Sequence, residues 1–320
     1  MGSYVLRRIL ISIPVLFLIT IIVFALMEIA PGDMLDYFLT DDAISHMSEE
    51  DIDEMREKLG LNDPAPVRYF KWLVKVVQGD LGFSLVQNEP VVEILLRRMK
   101  NTLILMGTGM LFSVVVGIPL GVFIARRQYT FWDFSLTGIS FIALSMPAFI
   151  AGIIGMYFFA VKLPILPAGG MYSTIGNRGI GDLLHHLLLP AFILSMMHIA
   201  RNMRYTRFSM LDVLNQDYVT TARAKGLKER VVIYRHALRN ALIPVVTIVG
   251  LSVPMVVVGA VFLETIYNWP GMGRLYYMAV LSRDFPIVMG ANLFIAVFVL
   301  LTNLIVDIVY SIIDPRVRLS

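Results

Sequence analysis

Uncharged apolar runs alternate with charge-bearing segments along the whole 320-residue chain. Ile9–Met27, Thr102–Ala125, Phe134–Val161, Ala241–Leu263 and Phe285–Val306 contain no Asp, Glu, Lys or Arg. A helix needs about 20 apolar residues to cross the hydrocarbon of a bilayer. Each of these five runs reaches that length or comes within a residue or two of it. A sixth run, Leu187–Ala200, reaches it only by taking in His185 and His186 or the stretch to Met203. The pattern predicts an all-α integral membrane protein with six transmembrane helices. Pro147 lies near the middle of Phe134–Val161, and Pro244, Gly250, Pro254 and Gly259 lie in Ala241–Leu263. These residues allow bends, although small residues at static helix contacts are an equal reading.

The basic residues set the expected direction of the spans. Arg7 and Arg8 precede the first run, which is longer than a signal-peptide core and is not followed by an A-x-A cleavage site. It therefore reads as a retained signal anchor. With the N-terminus inside, the inner segments carry fifteen Lys and Arg and the short outer loops carry four. The excess of positive charge on the inner side predicts that both termini are cytoplasmic.

Two segments stand outside the runs. In the external segment 30–100, Ser48–Gly60 predicts a short helix, with Ser48 capping it, acids in its first turn and Gly60 ending it. Pro64 and Pro66 break the chain. Val67–Val77 then predicts a helix with Tyr69, Trp72, Leu73 and Val76 on one face, set for packing or, less favoured, for the membrane surface. The second segment, 201–240, carries nine basic residues and has room for two short helices. Asp217 is expected to be an N-cap and Gly226 the C′ residue, with Arg223 and Lys225 complementing the helix dipole. Thr220, Thr221, Ala222 and Ala224 are small enough to let another surface approach closely. Docking into a partner's groove and a basic anchor at the membrane surface are both open readings.

Charged residues make up 16% of the chain, against about 25% in soluble domains, and the deficit falls in the apolar runs. There is no cysteine, which removes disulfides and thiolate metal sites. No polybasic run points to nucleic acid. The chain has no G-x-x-x-x-G-K-[ST], so it carries no P-loop of its own. Gly271-Met272-Gly273 reads as an external turn after Pro270. His185 and His186 are adjacent, so they project in different directions and make a poor metal pair. The five clear runs lack ionisable groups. That argues against an ion-coupled transporter and against a membrane-embedded enzyme, both of which need such groups at depth. His198 and Arg201 fall near the inner end of the Leu187–Ala200 run, where an interfacial location is favoured over a pathway. Uphill movement of a solute would then draw its energy from a partner.

The run from Asp217 through Val219-Thr-Thr-Ala-Arg-Ala-Lys-Gly226 to Leu227, followed by His236-Ala-Leu-Arg-Asn-Ala-Leu-Ile-Pro244, resembles the cytoplasmic coupling motif of ABC importer permeases. The resemblance is closest to the oligopeptide/dipeptide branch and extends over nearly the whole chain. Further pieces in order are Ala30-Pro31-Gly32-Asp33, Leu59–Pro64, Gln78-Gly-Asp-Leu-Gly-Phe-Ser84, Trp269-Pro-Gly-Met-Gly273, Arg283-Asp-Phe-Pro286 and Asp314-Pro-Arg316. Two departures are usual in that branch. Thr220-Thr221-Ala222 replaces Glu-Ala-Ala, and the distance from Gly226 to Pro244 is longer.

The resemblance implies a type I ABC importer permease fold, with an external insert after the first helix. Residues 1–100 would hold that helix and the insert, and 101–315 the core with its coupling loop 201–240. It implies a bacterial or archaeal plasma membrane protein. The expected partners are a second homologous permease subunit, two ATP-binding subunits and an extracytoplasmic substrate-binding protein. ATP and Mg would sit on the ATPases, with no cofactor on this chain. Asp217, Thr220, Thr221, Ala222, Ala224, Gly226 and Leu227 would couple to the ATPases. From mid-span positions, Met146, Pro147, Phe149, Ser252 and Met255 are candidate pathway residues. Oligopeptides or dipeptides are the expected cargo, and nickel, glutathione and oligosaccharides are the alternatives within the branch.

Overall fold

The computed structural model describes residues 2–29, 49–58, 60–84, 86–176 and 178–313. Ser48, the Ala30–Asp33 motif and the Asp314–Arg316 motif lie outside the described residues. Among the described residues twelve helices follow in order: α1 (Gly2–Ile29), α2 (Glu49–Lys58), α3 (Ala65–Val77), α4 (Val91–Ala125), α5 (Phe131–Ser145), α6 (Ala148–Met156), α7 (Ile180–Leu214), α8 (Asp217–Ala224), α9 (Glu229–Val231), α10 (Leu238–Ile266), α11 (Met272–Leu281) and α12 (Phe285–Ile313). π-helical turns extend α6 over Tyr157–Lys162 and join α9 to α10 over Val232–Ala237. Among the described residues the only strands are β1 (Phe83–Ser84) and β2 (Glu89–Pro90), an antiparallel pair in which Phe83 faces Pro90.

Among the described residues, five stretches are long and apolar enough to cross a membrane: Leu10–Ile29, Val91–Ala125, Ile180–Leu214, Glu229–Ser252 and Phe285–Ile308. The expected third span is broken. α5 and the stretch Ala148–Lys162 meet at 104°, and they make a sixth span only if the pair counts as one. The cause is local. Proline forces the residue before it out of the helical region, and Met146 (φ −83°, ψ 120°) and Pro147 (φ −57°, ψ 136°) are both extended. α10, by contrast, runs as one helix through Pro244 and Pro254. α7 also outgrows its apolar core. Its 35 residues include His185, His186 and Pro190. At about 1.5 Å per residue they span roughly 50 Å, well beyond the hydrocarbon.

The chain forms two compact units, residues 1–100 with 274–304, and 101–273 with 305–320. In the first, α3 lies along α1. Tyr69 stands edge-on to Phe17 and Phe24, at centroid distances of 5.9 and 5.3 Å, and its hydroxyl meets Thr20 Oγ1 at 2.9 Å. Arg68 pairs with Glu28. The predicted face Tyr69, Trp72, Leu73, Val76 is therefore the packed one, all four side chains being half-buried. Pro66 sits inside the first turn of α3 and does not break it, because the N–H it lacks has no helical partner there. Elsewhere in this unit the buried Asp284 caps α12 through Ile287 N–H and accepts the Ser84 hydroxyl. Burial pushes the Asp284 carboxyl above the ordinary carboxylate range, and the Ser84 bond opposes that rise.

The second unit is built around α7. Between lipid-facing helices there is little hydrophobic drive, so close packing of small residues carries association. Gly117 and Gly121, one helical turn apart on α4, supply it. A Cβ on them would stand 2.9 Å from the Ile199 carbonyl oxygen and 2.6 Å from that of Met203. The two histidines of α7 hold the preceding loop. His185 Nε2 contacts Ile165 O at 3.1 Å, and His186 Nδ1 contacts Gly169 O at 3.1 Å.

The turn after α10 is a knot of buried polar groups. Thr102 Oγ1 donates to Glu264 Oε1 (2.6 Å), and Gly273 N–H donates to Glu264 Oε2 (2.7 Å). Trp269 Nε1 donates to Asn101 O (3.0 Å), and Asn101 Nδ2 donates to Pro270 O (2.9 Å). Glu264 is fully buried. A Cβ at Gly271 would overlap its carboxylate at 2.1 Å, so Trp269-Pro-Gly-Met-Gly273 needs its first glycine for close approach. Glu264→Ala should strand two buried donors and cost roughly 2–5 kcal/mol. The thermal midpoint of the detergent-purified protein should fall by about 4 °C or more. Thr265→Ala, on the exposed side of the same helix, should leave it unchanged.

Candidate functional site

The basic loop folds into a compact hairpin made of α8, the turn at Gly226, α9 and the π turn. Gln216 is the N-cap of α8, with no side-chain cap bond. Asp217 is thus the first helical residue and not the cap, and its charge favours the positive end of the helix dipole. The far end follows the sequence expectation. Lys225 is the C-cap and Gly226 has φ +74°. Gly226 N–H bonds Arg223 O (2.9 Å), and Leu227 N–H bonds Ala222 O (3.4 Å). This is the paired Schellman closure, which requires a left-handed residue at C′. A Cβ at Gly226 would meet open space, so its glycine serves backbone conformation and not close approach.

α8 has two sides. Val219 and Ala222, one turn apart, are buried among Val122 and Ala125 of α4, Met210 and Val213 of α7, Val232, Ile233 and Ala237 of the π turn, and Ala241 of α10. Ala222, expected on the partner-facing side, is therefore a packing residue. Asp217, Thr220, Thr221, Ala224, Gly226 and Leu227 are exposed. Thr221 spends its hydroxyl on Asp217 O (2.8 Å). Two polar ties fix the hairpin. Asn240 Nδ2 donates to the Tyr218 hydroxyl at 2.8 Å, and Arg223 pairs with Glu229 at 3.0 Å. The result is a small-residue surface rigidly seated on the ends of three long helices.

A bidentate ion pair joins α5 to the same body. Arg207 of α7 donates to both carboxylate oxygens of the buried Asp133, at 2.7 and 2.8 Å. Tyr129 N–H adds a third bond to that carboxylate at 3.0 Å. Neither residue stands out in the sequence, because Asp133 falls just before an apolar run and its partner lies 74 residues away.

The candidate pathway residues fall into separate places. Met146 and Pro147 form the break between α5 and α6, and Phe149 is exposed with its ring 6.2 Å from Phe262. Met255 lies on α10, and its side chain is outside the described residues. Ser252 is buried and accepts a bond from Arg201. Arg201 Nη2 also meets His198 Nδ1 at 2.8 Å. Ser252 is at the midpoint of α10, which runs from Leu238 to Ile266. Arg201 and His198 therefore meet α10 halfway along its length.

Comparison with known proteins decides the family. Residues 117–319 match the family described as binding-protein-dependent transport system inner membrane component, and residues 1–106 match its N-terminal domain. The chain belongs to this family. An oligopeptide transport system permease protein of Bacillus subtilis, AppB, is 45% identical over 99% of this chain and all of its own length. The dipeptide transport system permease protein DppB of Escherichia coli is 36% identical over 99% of both chains. In fold, the chain resembles a structure of the MetNI methionine ABC transporter with a TM-score of 0.55. That match covers 70% of this chain and 97% of the other at 15% identity. As an inner membrane component with several spanning helices, the chain is a multi-pass membrane protein.

For this family member the two sides of α8 make a direct test. Ala222→Leu should overpack the cluster and destabilise by about 1–3 kcal/mol. Ala224→Leu, on the exposed side, should stay within about 0.5 kcal/mol of the parent. Thermal denaturation of the two purified variants measures the difference.

Proposed function

We propose that this chain is one permease subunit of an ATP-driven importer that moves oligopeptides or dipeptides into the cytoplasm. It pairs with a second, homologous permease. Two ATPase subunits bind the cytoplasmic loops of the two permeases, here the hairpin 215–240 within the loop 201–240; ATP and Mg are held on the ATPases and not on this chain, and an extracytoplasmic binding protein delivers cargo. Both termini lie inside, as the distribution of Lys and Arg favours. The single observation that carries the reading is the two-sided α8: an exposed small-residue surface whose underside is packed into α4, α7 and α10. A groove on an ATPase fits such a surface. Any displacement it imposes reaches three spans together, because close-packed cores move as bodies and do not deform. The peptide cargo is supported by the oligopeptide and dipeptide permease names of full-length relatives.

The test is uptake by the complete importer in proteoliposomes. Ala224→Leu adds bulk to the docking surface without touching the core. It should cut peptide uptake and peptide-stimulated ATP hydrolysis at least tenfold while insertion and stability are kept. Gly226→Trp should likewise abolish uptake and leave insertion intact. Uptake at the parental rate in both variants rejects the docking surface.

A further inference from the structure

We propose that Arg201 is a binding site for the cargo's carboxylate on the translocation pathway; this deepens, and rests on, the peptide-importer reading. The guanidinium is oriented but not neutralised. Its Nη2 donates to Ser252 Oγ and to His198 Nδ1. A guanidinium can only donate, so His198 accepts at Nδ1 and carries its hydrogen on Nε2. Both partners are neutral. Nε is shielded and has no partner, and among the described residues nothing bonds Nη1. Among the described residues no carboxylate pairs with Arg201. The neighbouring cations on α7 are engaged: Arg207 holds Asp133, and Arg204 lies 4.4 Å over the Phe141 ring.

Depth and direction give this arrangement its meaning. Ser252 fixes the guanidinium at the middle of α10. An unneutralised cation facing lipid within a span is disfavoured, and such residues turn toward protein or a water-filled cavity. Arg201 belongs to the stripe Met197, Arg201, Tyr205, Phe208, which recurs at helical spacing along α7, and its three other members are exposed. Every unblocked peptide, whatever its side chains, carries one terminal carboxylate. An Nη1 with two uncommitted hydrogens, on a guanidinium held by two neutral acceptors, suits that group. It offers a sequence-tolerant way station in a low-dielectric passage.

The full importer with its binding protein, reconstituted in proteoliposomes, is tested with trialanine and trialanine amide. Arg201→Gln is expected to slow trialanine uptake by about tenfold or more, the effect of losing a charge-assisted bond. Uptake of the amide should be equal in variant and parent. Arg201→Lys should keep roughly a third or more of the trialanine rate, because the charge remains. Unchanged trialanine uptake by the Gln variant overturns the proposal. So does a Lys variant as slow as the Gln variant, or equal loss of acid and amide. A Gln variant that no longer co-purifies with the second permease also overturns it, since the counter-ion is then a partner's carboxylate. If the parent imports neither peptide, the cargo reading itself fails. If the parent imports trialanine and only the Arg201 expectations fail, the cargo reading stands.

Discussion

The burial of Val219 and Ala222 beneath α8 is the contact on which the rest depends. An eight-residue helix is far too short to be stable alone. It exists because its underside completes an apolar cluster shared by the ends of α4, α7 and α10. That one contact makes the hairpin a handle on the helices and not a loose connection between them. The Schellman closure at Gly226 and the Tyr218–Asn240 bond then fix how the handle leaves the body.

The body must be stiff if the handle is to act on it, and lipid offers helices little reason to associate. Stiffness here comes from two sources. Gly117 and Gly121 bring α4 against the backbone of α7, and polar groups are paired across helices at both ends of the bundle. Asp133 with Arg207 ties α5 to α7, and Glu264 with Thr102 and Gly273 ties the end of α10 to α4 and the following turn. Each pair, once buried, is costly to separate, because one partner is left unsatisfied. The joint at Met146-Pro147 interrupts the helical ladder within the third apolar run. It lies between α5, which is clamped to α7, and α6, which packs on α7 and α10.

Much of this was legible in sequence wherever the cause was local. Charge-free runs mark the spans, Gly226 marks the end of α8, and Pro147 marks an interruption. The interruption proved a full break, since two consecutive extended residues turn the chain. What the sequence could not pair were partners far apart along it: Asp133 with Arg207, Thr102 with Glu264, Arg201 with Ser252. A charge beside an apolar run looks the same whether it snorkels or finds a buried partner. The misplacing of Ala222 had an available signal. Val219 is the large aliphatic residue within α8, and the residue three positions on must share its buried face.

The central claim is that α8 and the helix ends beneath it move as one body. The chain contains no cysteine, so spin labels at Thr221→Cys and Arg126→Cys report a single pair. Thr221 lies on the exposed side of α8, and Arg126 directly follows α4. Their distance distribution is measured in the assembled importer without nucleotide and with ATP trapped. The account predicts the same distribution in both states, while Thr221 changes its distance to a label on the second permease. A Thr221–Arg126 distance that shifts with nucleotide would show α8 sliding on its seat, and would contradict the account.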